Sequence, residues 1–233
     1  MIRKSSIRGM EIPNRVEALK ATLFADDTTV YLAAEDDFAI LQSVLDKWCS
    51  AAKAKFNISK TEIIPIGEPE YRKQMVSTYH QTGRWGNYPR NVHMAGEGDA
   101  VRILGAFFGN GLDECTVWSL RLAKLDETLK RWKMGHSSLE GKRHVAQMFV
   151  AGMTQFLTDV QRMPADILKR LNTVMRNYLW DDKHNTPVAM THLHLPVEQG
   201  GIKLIDLEAR NEAIDITWLR SYLSFGEGRP LWA

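Results

Sequence analysis

Cysteine is scarce. The chain holds two, Cys49 and Cys115, far apart and outside any Cys-x-x-Cys arrangement. That excludes a disulfide-stapled scaffold and a cysteine zinc site, and points to a reducing intracellular location, cytoplasm or nucleus. Long apolar runs are missing as well. The most apolar segment, His144 to Val160, is broken by Gln147, Gln155 and Asp159. It reads as a buried helix rather than a membrane span, so no membrane partner is expected. The first residues, Met1-Ile-Arg-Lys-Ser-Ser, lead to Gly and Pro rather than an apolar core, which excludes a secretory signal. No strong charge of one sign appears: the formal net charge is +2. There is no internal repeat and no low-complexity tract.

What is present is enough apolar content, 44% of 233 residues, to bury a sizeable core. Short apolar, β-prone runs flank Asp26-Asp27 and predict a hairpin over 21–33 with acid groups at its tip. Phe38, Leu41, Leu45 and Trp48 recur at helical spacing and predict a helix from Asp36 to about Lys53. Residues 56–66 alternate as a strand, 67–99 read as a loop region, and 101–109 read as a strand entering a Gly-Asn-Gly turn. Trp118, Leu122, Leu125, Leu129 and Trp132 share one helical stripe. Further helices are predicted over about 139–160 and from Pro164 onward. Two short strands are expected at 192–196 and 201–206. A last helix at 207–223 would turn Ala213, Ile216, Leu219 and Leu223 inward. The fold class is therefore α+β, with a mixed half over 1–111, a helical region over 112–180, and post-helical strands and a helix over 181–233.

Three Asp-Asp pairs invite chemistry. Asp36-Asp37 precedes a helix, where capping and the helix dipole explain it. Asp181-Asp182 ends a helical run and opens a polar loop. Asp26-Asp27 has no comparable local explanation, because apolar residues flank it on both sides. Two carboxylates at a hairpin tip repel unless a cation or proton intervenes, and Mg²⁺ favours one or two carboxylates with phosphate oxygens and water. A plain Asp-rich surface turn accounts for the same residues. Charge also gathers locally. Residues 118–147 hold seven basic side chains against three acidic ones.

Several segments in order sharpen this. Phe24-Ala25-Asp26-Asp27-Thr28-Thr29-Val30-Tyr31 resembles the catalytic hairpin of reverse transcriptases of non-LTR (LINE-type) retrotransposons. Asn57-Ile58-Ser59-Lys60-Thr61-Glu62 is similar to the next family segment, and Ile103-Leu104-Gly105-Ala106-Phe107-Phe108-Gly109 to the primer-grip hairpin after it. Leu139-Glu140-Gly141-Lys142-Arg143 resembles the start of the thumb. Gly200 to Leu207, with Ala209-Arg210-Asn211 and Trp218-Leu219, resembles the segment beyond it.

The resemblance implies a partial polymerase palm followed by a mainly helical thumb-like region. Asp26 and Asp27 would be catalytic metal ligands for Mg²⁺ or Mn²⁺, expected only in the complete polymerase. Lys60 would lie near the incoming triphosphate; a solvated strand-end lysine is the plain alternative. Gly105, Phe107 and Phe108 would form the primer grip, with core packing the alternative for the two phenylalanines. Arg121, Lys124, Arg131, Lys142 and Arg143 would contact an RNA template and DNA primer through phosphates. The family carries fingers and an upstream palm, with a further metal-binding Asp, ahead of this hairpin. Only Glu11 and Glu17 are acidic before Asp26 here. The expectation is a fragment active only when completed by that upstream portion, or a vestigial binding or interaction protein. Its palm half is expected to leave apolar strand surface exposed.

Overall fold

The structure, a computed structural model, describes residues 1–13, 16–90 and 92–226. It is an α+β chain with small two-stranded sheets. The chain divides into two compact units: Met1–Leu104 with Phe108–Gly111, and Gly105–Phe107 with Leu112–Ala233.

In the first unit, β1 (Ala21–Phe24) and β2 (Asp27–Val30) form an antiparallel hairpin that pairs Phe24 with Asp27. The turn is only Ala25-Asp26, and Ala25 takes the left-handed conformation at φ 51° that a tight two-residue hairpin requires. The first helix, α1 (Phe38–Ala52), follows, capped by the Asp37 side chain on the Ala39 N–H. Asp36 plays a different part. Its carboxylate accepts N–H bonds from Arg8 at 2.7 Å, Gly9 at 3.0 Å and Ala33 at 2.8 Å. Capping thus explains one member of the pair and a loop anchor the other.

Three expectations over residues 56–109 need correction. The strand over 56–66 shrinks to β3 (Glu62–Ile63), because the Asn57 side chain caps a tight 3₁₀ turn over Ile58–Lys60. Residues 67–99 are not merely loop: α2 (Pro69–Thr82) starts with proline at its first turn and ends at Gly83 with φ 64°. It turns Met75 and Tyr79 into a small core with Val92 and Met94. That core sits on β3 and its parallel partner β4 (His93–Met94). The third correction concerns the strand at 101–109, which is a hairpin, β5 (Val101–Ile103) and β6 (Ala106–Phe108). It turns at Leu104-Gly105 rather than at Gly-Asn-Gly. Apolar surface is bare here, with Leu23 69%, Phe24 66%, Ile58 61% and Ile66 65% exposed.

The second unit holds the larger core. Its first helix, α3 (Glu114–Lys133), is capped by Asp113 and buries Trp118, Leu122, Leu125 and Leu129. Trp132, at the end of that stripe, stays 44% exposed. One helical rod then runs as α4 (Leu139–Val145), a π-helical segment (Ala146–Ala151) and α5 (Gly152–Gln161). Next comes α6 (Ala165–Leu179), which buries Ile167, Leu171, Met175, Tyr178 and Leu179 against the same core.

The strands expected at 192–196 and 201–206 are absent. Met190–His194 forms a short helix, α7, and residues 202–204 fold back so that the Ile202 and Leu204 N–H groups reach the Leu193 carbonyl. The last helix, α8 (Leu207–Tyr222), is present with Asp206 as its cap, but its expected face is reversed. Ile216 and Leu219 are 65% and 55% exposed, while Leu207 is buried and Arg210 and Asn211 face inward. The physical reason is polar. All five Arg210 N–H donors find acceptors in Ala151 O, Thr154 Oγ1, Thr158 Oγ1 and, twice, Asn211 Oδ1. Among the described residues no helix is long and apolar enough to cross a membrane.

Candidate nucleic-acid interface and carboxylate hairpin

The hairpin places Asp26 in its two-residue turn and Asp27 at the first position of β2, both exposed. Their donor set suits an ion that takes one or two carboxylates and fills the rest of its shell with water and phosphate oxygens. Among the described residues no group of three or more His, Cys, Asp or Glu side chains is placed to hold a metal ion. Lys60 ends the 3₁₀ turn capped by Asn57 and is exposed.

Within the Ile103–Gly109 segment, Gly105 has φ 90°, and a Cβ there would come within 2.9 Å of the Phe156 ring. Gln161 grips the backbone of Phe107 with both ends of its amide. The Phe107 N–H donates to Oε1 at 2.8 Å, and Nε2 donates to the Phe107 carbonyl at 2.7 Å. Phe107 packs on the main core, whereas Phe108 is 49% exposed.

The five basic candidates are in very different states. Lys142 is only 7% exposed; its Nζ donates to Asp181 Oδ1 at 2.7 Å and to the Leu179 carbonyl at 3.2 Å. That hydrogen bond holds the Asp181 carboxyl below its ordinary range. Arg143 lies over Glu140, donating through Nε at 3.0 Å and Nη2 at 2.7 Å, and so lowers the Glu140 pKa. Arg131 pairs with Glu127 one turn away at 3.0 Å. Lys124 is exposed, Arg121 half-buried, and neither makes an ion pair with a described carboxylate. Arg121 and Lys124 of α3 thus stay outside the described ion pairs, while Lys142 and Arg143 are paired with carboxylates of the same unit. The other acidic pair is also structural: Asp182 forms an ion pair with Lys133.

One feature escapes a reading by charge runs. A cleft of about 480 Å³ opens between α6, α7 and the start of α8, with Lys169, Asn172, Thr173 and Arg176 along one wall. These four recur at spacings of three, one and three, a polar helical face whose signal was available but was overshadowed by the apolar face behind it. No family model matches the chain, and no curated protein matches it.

Proposed function

We propose that the chain is a palm-and-thumb portion of an RNA-directed DNA polymerase of the non-LTR retrotransposon type, working on an RNA template and a DNA primer inside the cell. The observation that carries this reading is the Asp26-Asp27 hairpin, followed in family order by the Asn57–Glu62, Ile103–Gly109, Leu139–Arg143 and Gly200–Leu207 segments. The local geometry supports it: a tight two-residue turn holds Asp26 and Asp27 in solvent, with no ion pair to a described cation.

In this reading Asp26 and Asp27 would hold a divalent cation, Mg²⁺ or Mn²⁺, which would supply the positive charge that favours an attacking hydroxyl and a leaving pyrophosphate. Lys60 neutralises triphosphate charge. Arg121 and Lys124 on α3 meet template–primer phosphates. Two adjacent carboxylates are fewer than two-metal chemistry ordinarily uses, so nucleotidyl transfer awaits the fingers and upstream palm that the resemblance implies. A second reading keeps nucleic-acid binding without catalysis, and it is favoured by one observation: no third metal-binding side chain joins the hairpin among the described residues.

Primer extension on an RNA template with Mg²⁺ or Mn²⁺ tests the reading, comparing the native chain with Asp26→Asn, Asp27→Asn. The chain alone is expected to give no extension above the double variant. Extension that the double variant loses would overturn its dependence on an upstream portion.

A further inference from the structure

Exposed cations outside any described ion pair also stand beyond the basic run over 118–147. Lys169 and Arg176 stand on the exposed face of α6, and neither makes an ion pair with a described carboxylate. Arg176 has only a 3.3 Å bond to the Asn177 amide oxygen. Both line the cleft of about 480 Å³, together with Asn172, Thr173, His194 and Glu208. His194 comes from the facing α7, and its Nδ1 lies 3.1 Å from the Leu204 carbonyl, which leaves Nε2 as the ring's remaining polar atom. Asp206, at the same end as Glu208, has its carboxylate engaged with the Glu208 and Ala209 N–H groups.

We infer that this cleft binds a single-stranded stretch of nucleic acid, with Lys169 and Arg176 taking phosphates about three nucleotides apart. Seven residues of helix separate the two cations by about 10.5 Å. A stacked strand advances about 3.4 Å per nucleotide, so the pair spans roughly three nucleotides. Asn172 and Thr173 lie between them and can donate to backbone or sugar oxygens, and His194 offers a further donor or acceptor from the opposite wall. Glu208 also lines the cleft, where its charge repels phosphate. A cleft of this volume is of the size that encloses small ligands, which suits a few nucleotides better than a rigid duplex. The proposal rests on the nucleic-acid-binding reading above and adds to it a site outside the segments that suggested that reading.

The test is fluorescence anisotropy of a labelled single-stranded RNA oligonucleotide with the full chain over a range of salt. Lys169→Gln, Arg176→Gln is expected to lose tenfold or more in affinity and to flatten the log–log salt dependence by about 1.4, two single-strand phosphate contacts. The charge-matched Lys47→Gln, Lys73→Gln, two exposed lysines of the first unit, is expected to bind as the native chain does. Glu208→Gln is expected to tighten binding about twofold, a gain that misfolding cannot mimic. Far-ultraviolet circular dichroism checks that each variant keeps its helix content. A loss no greater in the α6 variant than in the charge-matched control, or native affinity in Glu208→Gln, overturns the cleft and leaves the nucleic-acid reading standing. Failure of the native chain to bind any strand overturns both.

Discussion

The Lys142 ammonium is buried against the last turn of α6, 2.7 Å from the Asp181 carboxylate and 3.2 Å from the Leu179 carbonyl. The lysine thus closes the C-terminal end of α6, where carbonyls lack helical partners and a cation is favoured. Its place beside Gly141 in a basic segment suggests a ligand-binding role, but its charge is directed inward.

Removing the carboxylate should therefore be felt in stability. Asp181→Ala leaves a buried ammonium with one carbonyl, and is expected to cost roughly 1–3 kcal/mol in urea unfolding. Solvent reaches half of the Asp181 side chain, which holds the effect below that of a fully enclosed pair. Lys142→Met removes both the charge and its desolvation, and is expected to cost less than Asp181→Ala.

Asp36 and Asp37 should separate cleanly despite adjacency. Burial raises the Asp36 pKa, yet the three backbone N–H bonds outweigh it and leave the carboxyl below its ordinary value. Asp36→Ala strands those donors and is expected to cost roughly 1–3 kcal/mol, with faster exchange of the Ala33 amide. Asp37→Ala removes an exposed cap on Ala39 and the 2.9 Å bond from Asn87 Nδ2, with no buried donor stranded, and is expected to do less.

The same depressed carboxyls set an acid limit. The folded-state pKa of Asp36 and of Asp181 lies below the unfolded one, so each contributes stability that is complete above the unfolded pKa and is lost as pH falls through the folded value. Midpoints measured against pH are expected to be flat near neutrality and to fall below about pH 4. In Asp36→Ala and Asp181→Ala that acid slope should be shallower.

Arg210 should resist conservative replacement. Lysine has the charge but not the planar five-donor fork that reaches Thr154, Thr158, Ala151 and Asn211 together. Arg210→Lys is expected to destabilise by about 1–3 kcal/mol, seen as a lower urea midpoint with an unchanged slope.

Helix boundaries were legible in the residues because capping is local. Asp37, Asp113 and Asp206 each accept from the N–H groups just after them, as their positions ahead of the helices suggest. What depended on distant approach was not legible. The apolar residues of α2, Tyr71, Met75 and Tyr79, keep a spacing of four but are diluted among polar neighbours. For α8 the apolar stripe pointed one way while polar bonds of Arg210 set the buried face the other way. The candidate site divides along the same line. The hairpin of Asp26 and Asp27 follows from a local pattern, whereas the pairing of Lys142 with Asp181 and of Arg143 with Glu140 separates free cations from committed ones.

The most direct test of a nucleic-acid-binding polymerase portion is anisotropy with a labelled DNA primer annealed to an RNA template, titrated with the native chain and with Asp26→Asn, Asp27→Asn. Binding is expected in both, with log affinity falling linearly as log salt rises and no change in unfolding midpoint, since both aspartates are exposed. No binding at about 50 mM salt, or binding indifferent to salt, would contradict it.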